Sequence, residues 1–84
     1  MSTTTDRALA AVTSAVREVL PSVPAAAVTL DASLKALGAN SVDRAEILII
    51  SMDALGVRCP MVEFAQAADI GGITRILIDA GGAP

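Results

Sequence analysis

The segment from Val42 to Leu55 is apolar on two opposite faces, and few folds have a place for such a helix. Successive residues of an α-helix lie about 100° apart around the axis, which sets Ile47, Leu48, Ser51, Ala54 and Leu55 on one side. Val42, Ala45, Ile49 and Met52 fall on the other, flanked by Glu46 and Asp53. One stripe must face a core. The second has two readings. It is covered by neighbours because the helix is central, or it is a docking patch of Val, Ile and Met with acids at its rim. Periodicity alone does not choose between them.

The ends of this helix are marked. Asn40 and Asp43, three residues apart, form an N-cap pair, and Gly56 suits the left-handed position just past a helix end. A Gly38-Ala39-Asn40 turn leads straight into the apolar run, so Ser41 falls at or just inside the helix N-terminus with its hydroxyl toward solvent. There the first-turn N–H groups lack intrahelical partners and the macrodipole is positive, which suits an attached phosphate. Taken alone, an Asn-Ser pair before an apolar run is more often a solvated helix start, because polar residues open most helices.

The flanking segments are helical as well. Leu9, Val12, Val16 and Val19, with Ala8 and Ala15, mark helix one from Asp6 to Leu20, which Thr4, Thr5 or Asp6 can cap and Pro21 ends. A long connection follows to Asn40, which Val23, Val28, Leu30, Leu34 and Leu37 can anchor, with Asp31 placed to cap a turn through Leu37. Pro60 reads as the first residue of a short helix with Met61, Phe64, Ala65 and Ala68 inward. Asp69 caps a last helix carrying Ile70, Ile73, Ile76, Leu77 and Ala80, although Gly71 and Gly72 weaken its first turn by up to about 1 kcal/mol each. Gly81-Gly82 ends it, and Ala83-Pro84 is expected to fray. Helices are thus expected over about 6–20, 42–55, 60–67 and 70–80.

At 84 residues and 54% apolar, with Phe64 the only aromatic, the chain has the size and composition of one all-α domain, a compact bundle. Net charge is −3 and the six basic residues stand singly, which speaks against nucleic acid as a partner. With no histidine and Cys59 as the sole cysteine, neither an ordinary zinc site nor a disulfide framework can be built, and the cytoplasm is the expected compartment. The N-terminus lacks an apolar signal core, and the longest aliphatic run, Ile47 to Ile50, is too short to cross a bilayer. Catalytic motifs are missing too: there is no G-x-S-x-G, no phosphate-binding glycine loop and no spaced pair of acids. Cys59 beside Pro60 reads as a small buried hydrophobe with no base to activate it. Arg44 falls toward the core side of its helix and should snorkel at the edge.

Leu37-Gly38, Asn40, Ser41 and Val42 resemble the prosthetic-group site of acyl carrier proteins, whose pattern is a Leu-Gly turn, a short acidic residue, the modified serine and an aliphatic residue. The likeness runs through the long preceding loop, the short helix with Phe64 and the Ile70-Gly71 start of the last helix, across residues 6 to 80. It implies a four-helix bundle of acyl-carrier type with a long first loop and a short third helix. It further implies a 4′-phosphopantetheine arm moved from coenzyme A to Ser41 by a phosphopantetheinyl transferase. Acyl groups would ride that arm as thioesters, so the chain would be a carrier and not an enzyme.

By the same resemblance, Asp43 serves recognition by the transferase, in preference to acting as a general base for Ser41. Val42, Ala45, Glu46, Ile49, Met52 and Asp53 form the partner surface, with Glu63 in the acidic rim. Asn40 in place of the commoner Asp, and a second helix more aliphatic than acidic, depart from a typical fatty-acid carrier. Gly38 to Arg44 and Val62 to Ala67 are similar to stand-alone carriers of modular polyketide systems, more narrowly to the acetyl donors of β-branching cassettes. Expected partners are then a ketosynthase, an acyltransferase or a hydroxymethylglutaryl-synthase-like enzyme, met by a monomer, with no membrane. A fatty-acid or aminoacyl carrier, and an unmodified helical interaction module, are the alternatives.

Overall fold

A computed structural model describes residues 3–81, so the expected roles of Gly82, Ala83 and Pro84 lie outside the described residues. Helix α1 spans Thr4–Val19. Its cap is Thr3, not Thr4, Thr5 or Asp6: the Thr3 hydroxyl accepts the Asp6 N–H at 3.0 Å, and the Asp6 carboxylate accepts the Thr3 N–H at 3.2 Å. This reciprocal box needs the two residues three apart, which only Thr3 and Asp6 satisfy here. Leu20 closes the helix before Pro21, and Ala8, Val12, Ala15 and Val16 are buried along one face.

Helix α2 spans Ser41–Leu55 and α3 spans Ile70–Asp79. α1 packs against both. Val12, Val16, Ile47, Ile70 and Leu77 meet between them with no appreciable exposure, each such side chain contributing about 1.5–3 kcal/mol when withdrawn from water. From α2 the core receives Ile47, Leu48 and Ser51 with part of Leu55, whereas Ala54 is exposed, contrary to its place on the helical wheel. The turn at Gly56 accounts for this. Gly56 is left-handed at φ 68°, the Val57 N–H reaches back to the Met52 carbonyl at 3.0 Å, and buried Val57 completes the stripe where Ala54 would have.

The connection between α1 and α2 is pinned chiefly from inside. Val23, Val28 and Leu34 are buried and Leu37 is half-buried, with one turn of 3₁₀-helix at Ala25–Ala27. Leu30 departs from expectation: its side chain is 42% exposed, and its anchor is the backbone. The Gly71 N–H donates to the Leu30 carbonyl at 2.7 Å and the Ile70 N–H to the Ala32 carbonyl at 2.8 Å, joining the loop to the start of α3. Asp31 does not cap the turn through Leu37. Ser33 does, accepting the Ala36 N–H at 3.0 Å, while the Asp31 carboxylate accepts the Thr29 hydroxyl and is thereby held below the usual carboxylate range.

The short third helix is a 3₁₀-helix over Met61–Gln66, preceded by an extended Pro60 rather than opened by it. Three residues per turn bring every third side chain to one face. Buried Phe64 and half-buried Ala67 therefore point inward, and Ala65 and Ala68, expected inside from an α-helical period, are exposed; Met61, also expected inside, shares the face of Phe64 but is 38% exposed at the start of the turn.

Asp69 caps α3, accepting the Gly72 N–H at 2.8 Å, and Ile70, Ile73 and Leu77 are buried with Thr74, which bonds the Gly71 carbonyl. No helix among the described residues is long and apolar enough to cross a membrane.

Gly71 is where loop and helix touch. A Cβ there would stand 3.0 Å from the Leu30 carbonyl oxygen, an atom already committed to the Gly71 N–H. Gly71→Ala gains up to about 1 kcal/mol in helix propensity but forces that backbone apart. We expect a net loss of about 1–2 kcal/mol, read as a melting temperature roughly 4–16 °C lower. An unchanged or higher melting temperature would mean that the loop yields easily.

Candidate functional site

The start of α2 is built by three local devices. Gly38 adopts φ 101°, which only glycine takes without strain, and the chain reverses so that the Gly38 and Ala39 N–H groups donate to the Lys35 and Leu34 carbonyls, each at 3.0 Å. Ala39 is buried and fixes the turn against the core. Asn40 then caps α2: its side-chain oxygen accepts the Asp43 N–H at 2.8 Å, and the Asp43 carboxylate accepts the Asn40 N–H at 3.2 Å. Ser41, the first helical residue, is exposed. The N–H groups of Ser41 and Val42 find no partner among the described residues, leaving two donors at the positive end of the helix.

Asp43 is half-buried and its carboxylate is turned back onto Asn40, so it is no base for the Ser41 hydroxyl. The group that does approach Ser41 is Arg44, whose Nη2 donates to the Ser41 Oγ at 3.4 Å. Sequence reasoning placed Arg44 at the core edge and missed this contact. The three-residue spacing puts the two side chains on one helical face, but the contact itself depends on the rotamer that Arg44 adopts.

Ser41 and Arg44 are among the residues that line an open cleft of about 460 Å³ between α2, the 3₁₀-helix and α3. Ala45, Leu48, Met61, Phe64 and Ile73 line it, with Lys35 and Asp69 at its edge. Around the corner of α2, Val42 is 74% and Ile49 is 50% exposed, and Glu46 and Asp53 are exposed between and below them. These four make one continuous ridge by their three- and four-residue spacing. A central helix covered all round is thereby excluded. Ala45 and Met52 are half-buried on the cleft side of the ridge, Met52 meeting the Cys59 thiol at 3.8 Å. Val62 on the 3₁₀-helix is a further exposed aliphatic, and Glu63 beside it is exposed as well.

Cys59 is half-buried, and burial, with the Glu63 charge adding to it, pushes its thiol up from the usual value, so it stays protonated and unreactive at neutral pH. Among the described residues no cluster of acids and cysteine could hold a metal ion. What the start of α2 does fit is a phosphate ester: an exposed hydroxyl, two N–H donors without a partner among the described residues and one guanidinium, with one Asp43 carboxylate oxygen engaged by the Asn40 N–H.

Comparison with known proteins points the same way. The family model described as "Phosphopantetheine attachment site" matches residues 10–77. Polyketide biosynthesis acyl-carrier-protein AcpK of Bacillus subtilis (strain 168) is 36% identical over 62 residues, which are 74% of this chain and 76% of that protein. No solved structure gives a significant match.

Proposed function

The chain belongs to the phosphopantetheine-attachment family of acyl carrier proteins, and from that premise we propose that Ser41 takes the 4′-phosphopantetheine arm and that the protein serves polyketide biosynthesis. The observation that carries the assignment to Ser41 is its exposed hydroxyl on the first residue of a capped helix, beside a guanidinium. When bound, the group supplies a thiol on which acyl units are held as thioesters. The chain itself supplies a hydroxyl, two N–H donors and a positive helix end for the ester, and it supplies no base. The Ser41 proton must therefore leave to a group on the transferase.

The ridge of Val42, Glu46, Ile49 and Asp53 is the surface that partner enzymes grip, with Asp43, Ala45 and Met52 along its inner margin. Its aliphatic crests give contact area and its acids favour basic partners. The chain acts as one carrier domain, a monomer in the cytoplasm, visited in turn by the transferase and by acyl-handling enzymes such as a ketosynthase or acyltransferase. The narrower role is that of acetyl donor in β-branching to a hydroxymethylglutaryl-synthase-like enzyme, supported by the Gly38 to Arg44 and Val62 to Ala67 segments.

Mass spectrometry after incubation with coenzyme A and a promiscuous phosphopantetheinyl transferase tests the attachment: one adduct is expected, and fragmentation should place it on Ser41. An unmodified protein would leave only a helical interaction module. Loading the modified protein with acetyl and with longer acyl groups then tests the narrower role, which fails if the hydroxymethylglutaryl-synthase-like enzyme does not accept the acetyl form. For the ridge, Ile49→Glu should slow acyl transfer to partner enzymes about tenfold or more while stability changes by no more than about 0.5 kcal/mol. A collapsed melting transition would show that Ile49 holds the fold instead.

A further inference from the structure

We propose that Arg44 is the positioning residue of the site: it holds the phosphate ester on Ser41 and turns the arm toward the cleft, away from the Val42–Ile49 ridge. This rests on the attachment reading above.

The guanidinium presents five donors, yet its single polar partner among the described residues is the Ser41 oxygen, at a long 3.4 Å. Arg44 makes no ion pair there, although acids stand nearby in sequence. Asp43, next to it, spends its carboxylate on the Asn40 N–H, and Glu46 lies on the exposed ridge. With no carboxylate partner among the described residues and its contact to Ser41 in an exposed setting, the guanidinium is open to an incoming anion. An anion carried on the Ser41 Oγ begins one bond beyond the atom that the guanidinium already approaches, and a phosphate suits its planar fork of donors.

Geometry sets the direction. Ser41 and Arg44 share the face of α2 that lines the cleft with Ala45 and Leu48, whereas Val42, Glu46, Ile49 and Asp53 lie around the helix from it. An ester gripped by Arg44 therefore leaves the helix over the cleft mouth and keeps the ridge clear for contact with another protein.

Phosphorus and nitrogen NMR of the apo and phosphopantetheinylated protein tests this. In the wild type, attachment should shift the Arg44 side-chain Nε–H resonance, and the phosphorus line should be broad, tumbling with the protein. In Arg44→Gln the phosphorus line should narrow about twofold, and Arg44→Lys should restore part of the width, since a charge is returned without the fork. A structural role for Arg44 would move neither signal, and thermal melts of the variants register any loss of fold separately. If the adduct forms on Ser41 but the wild-type Nε–H does not move, or the Gln variant keeps the full line width, this inference is overturned and the attachment reading stands. If no adduct forms on Ser41 in the wild type, both fall.

Discussion

Ser41→Ala is expected to leave no adduct after incubation with coenzyme A and a phosphopantetheinyl transferase, while the melting temperature moves by no more than about 4 °C. The first outcome follows if the Ser41 hydroxyl is the nucleophile, because the chain offers no second exposed hydroxyl at a capped α2 start. The second follows from how little Ser41 does for the fold. The helix is capped by Asn40 and Asp43, Ser41 is exposed, and among the described residues its one side-chain hydrogen bond is the long one from Arg44. Alanine is, moreover, the better helix former. A variant that unfolds would make Ser41 structural; a variant that is still modified would move the attachment elsewhere.

Ile47→Ala is expected to be the most damaging conservative change on the same helix. Ile47 has no exposure and lies in the cluster shared with Val12, Val16, Ile70 and Leu77. Removing its branched chain loses burial and leaves a cavity that the close-packed helices cannot fully close, at a cost of about 2–5 kcal/mol. A domain of this size has a stability at the low end of roughly 5–15 kcal/mol, so the variant should melt at least about 10 °C lower, if it folds at all. The contrast with Ile49→Glu is the sharper test. Two residues along, a far harsher change should leave the melt almost untouched, because half of the Ile49 surface is already in water. Equal losses in the two variants would mean that the two faces of α2 are equally covered.

Where a single residue type carries its own geometry, the sequence was a sufficient guide. Gly56 was placed in the left-handed position past the helix end, the Asn40–Asp43 spacing marked a cap, and Pro21 marked the stop of α1, and each is found so. The all-helical architecture follows from these together with the apolar periods of α1 and α3. Reading failed where the period itself was in doubt. Six residues from Met61 to Gln66 do not distinguish three residues per turn from 3.6, and that difference turned Ala65 and Ala68 outward. It failed again where tertiary contact decided the outcome: Ala54 lost its inner place to Val57, and Leu30 holds by its carbonyl instead of its side chain. At the site, the position of Ser41 was legible because a helix start is a local event. The approach of Arg44 depends on a side-chain rotamer, which no pattern of residue types specifies.

The two hydrogen bonds that fasten Leu30 and Ala32 to Gly71 and Ile70 also impose a chronology on synthesis. As the polypeptide leaves the ribosome, position 41 emerges well ahead of residues 70 and 71, so Ser41 is out before the Leu30 and Ala32 carbonyls have these partners. Only once α3 is released can the Leu30–Ala32 end of the connection be fastened in this way. A chain that lacks α3 would present Ser41 with that end of the connection unfastened.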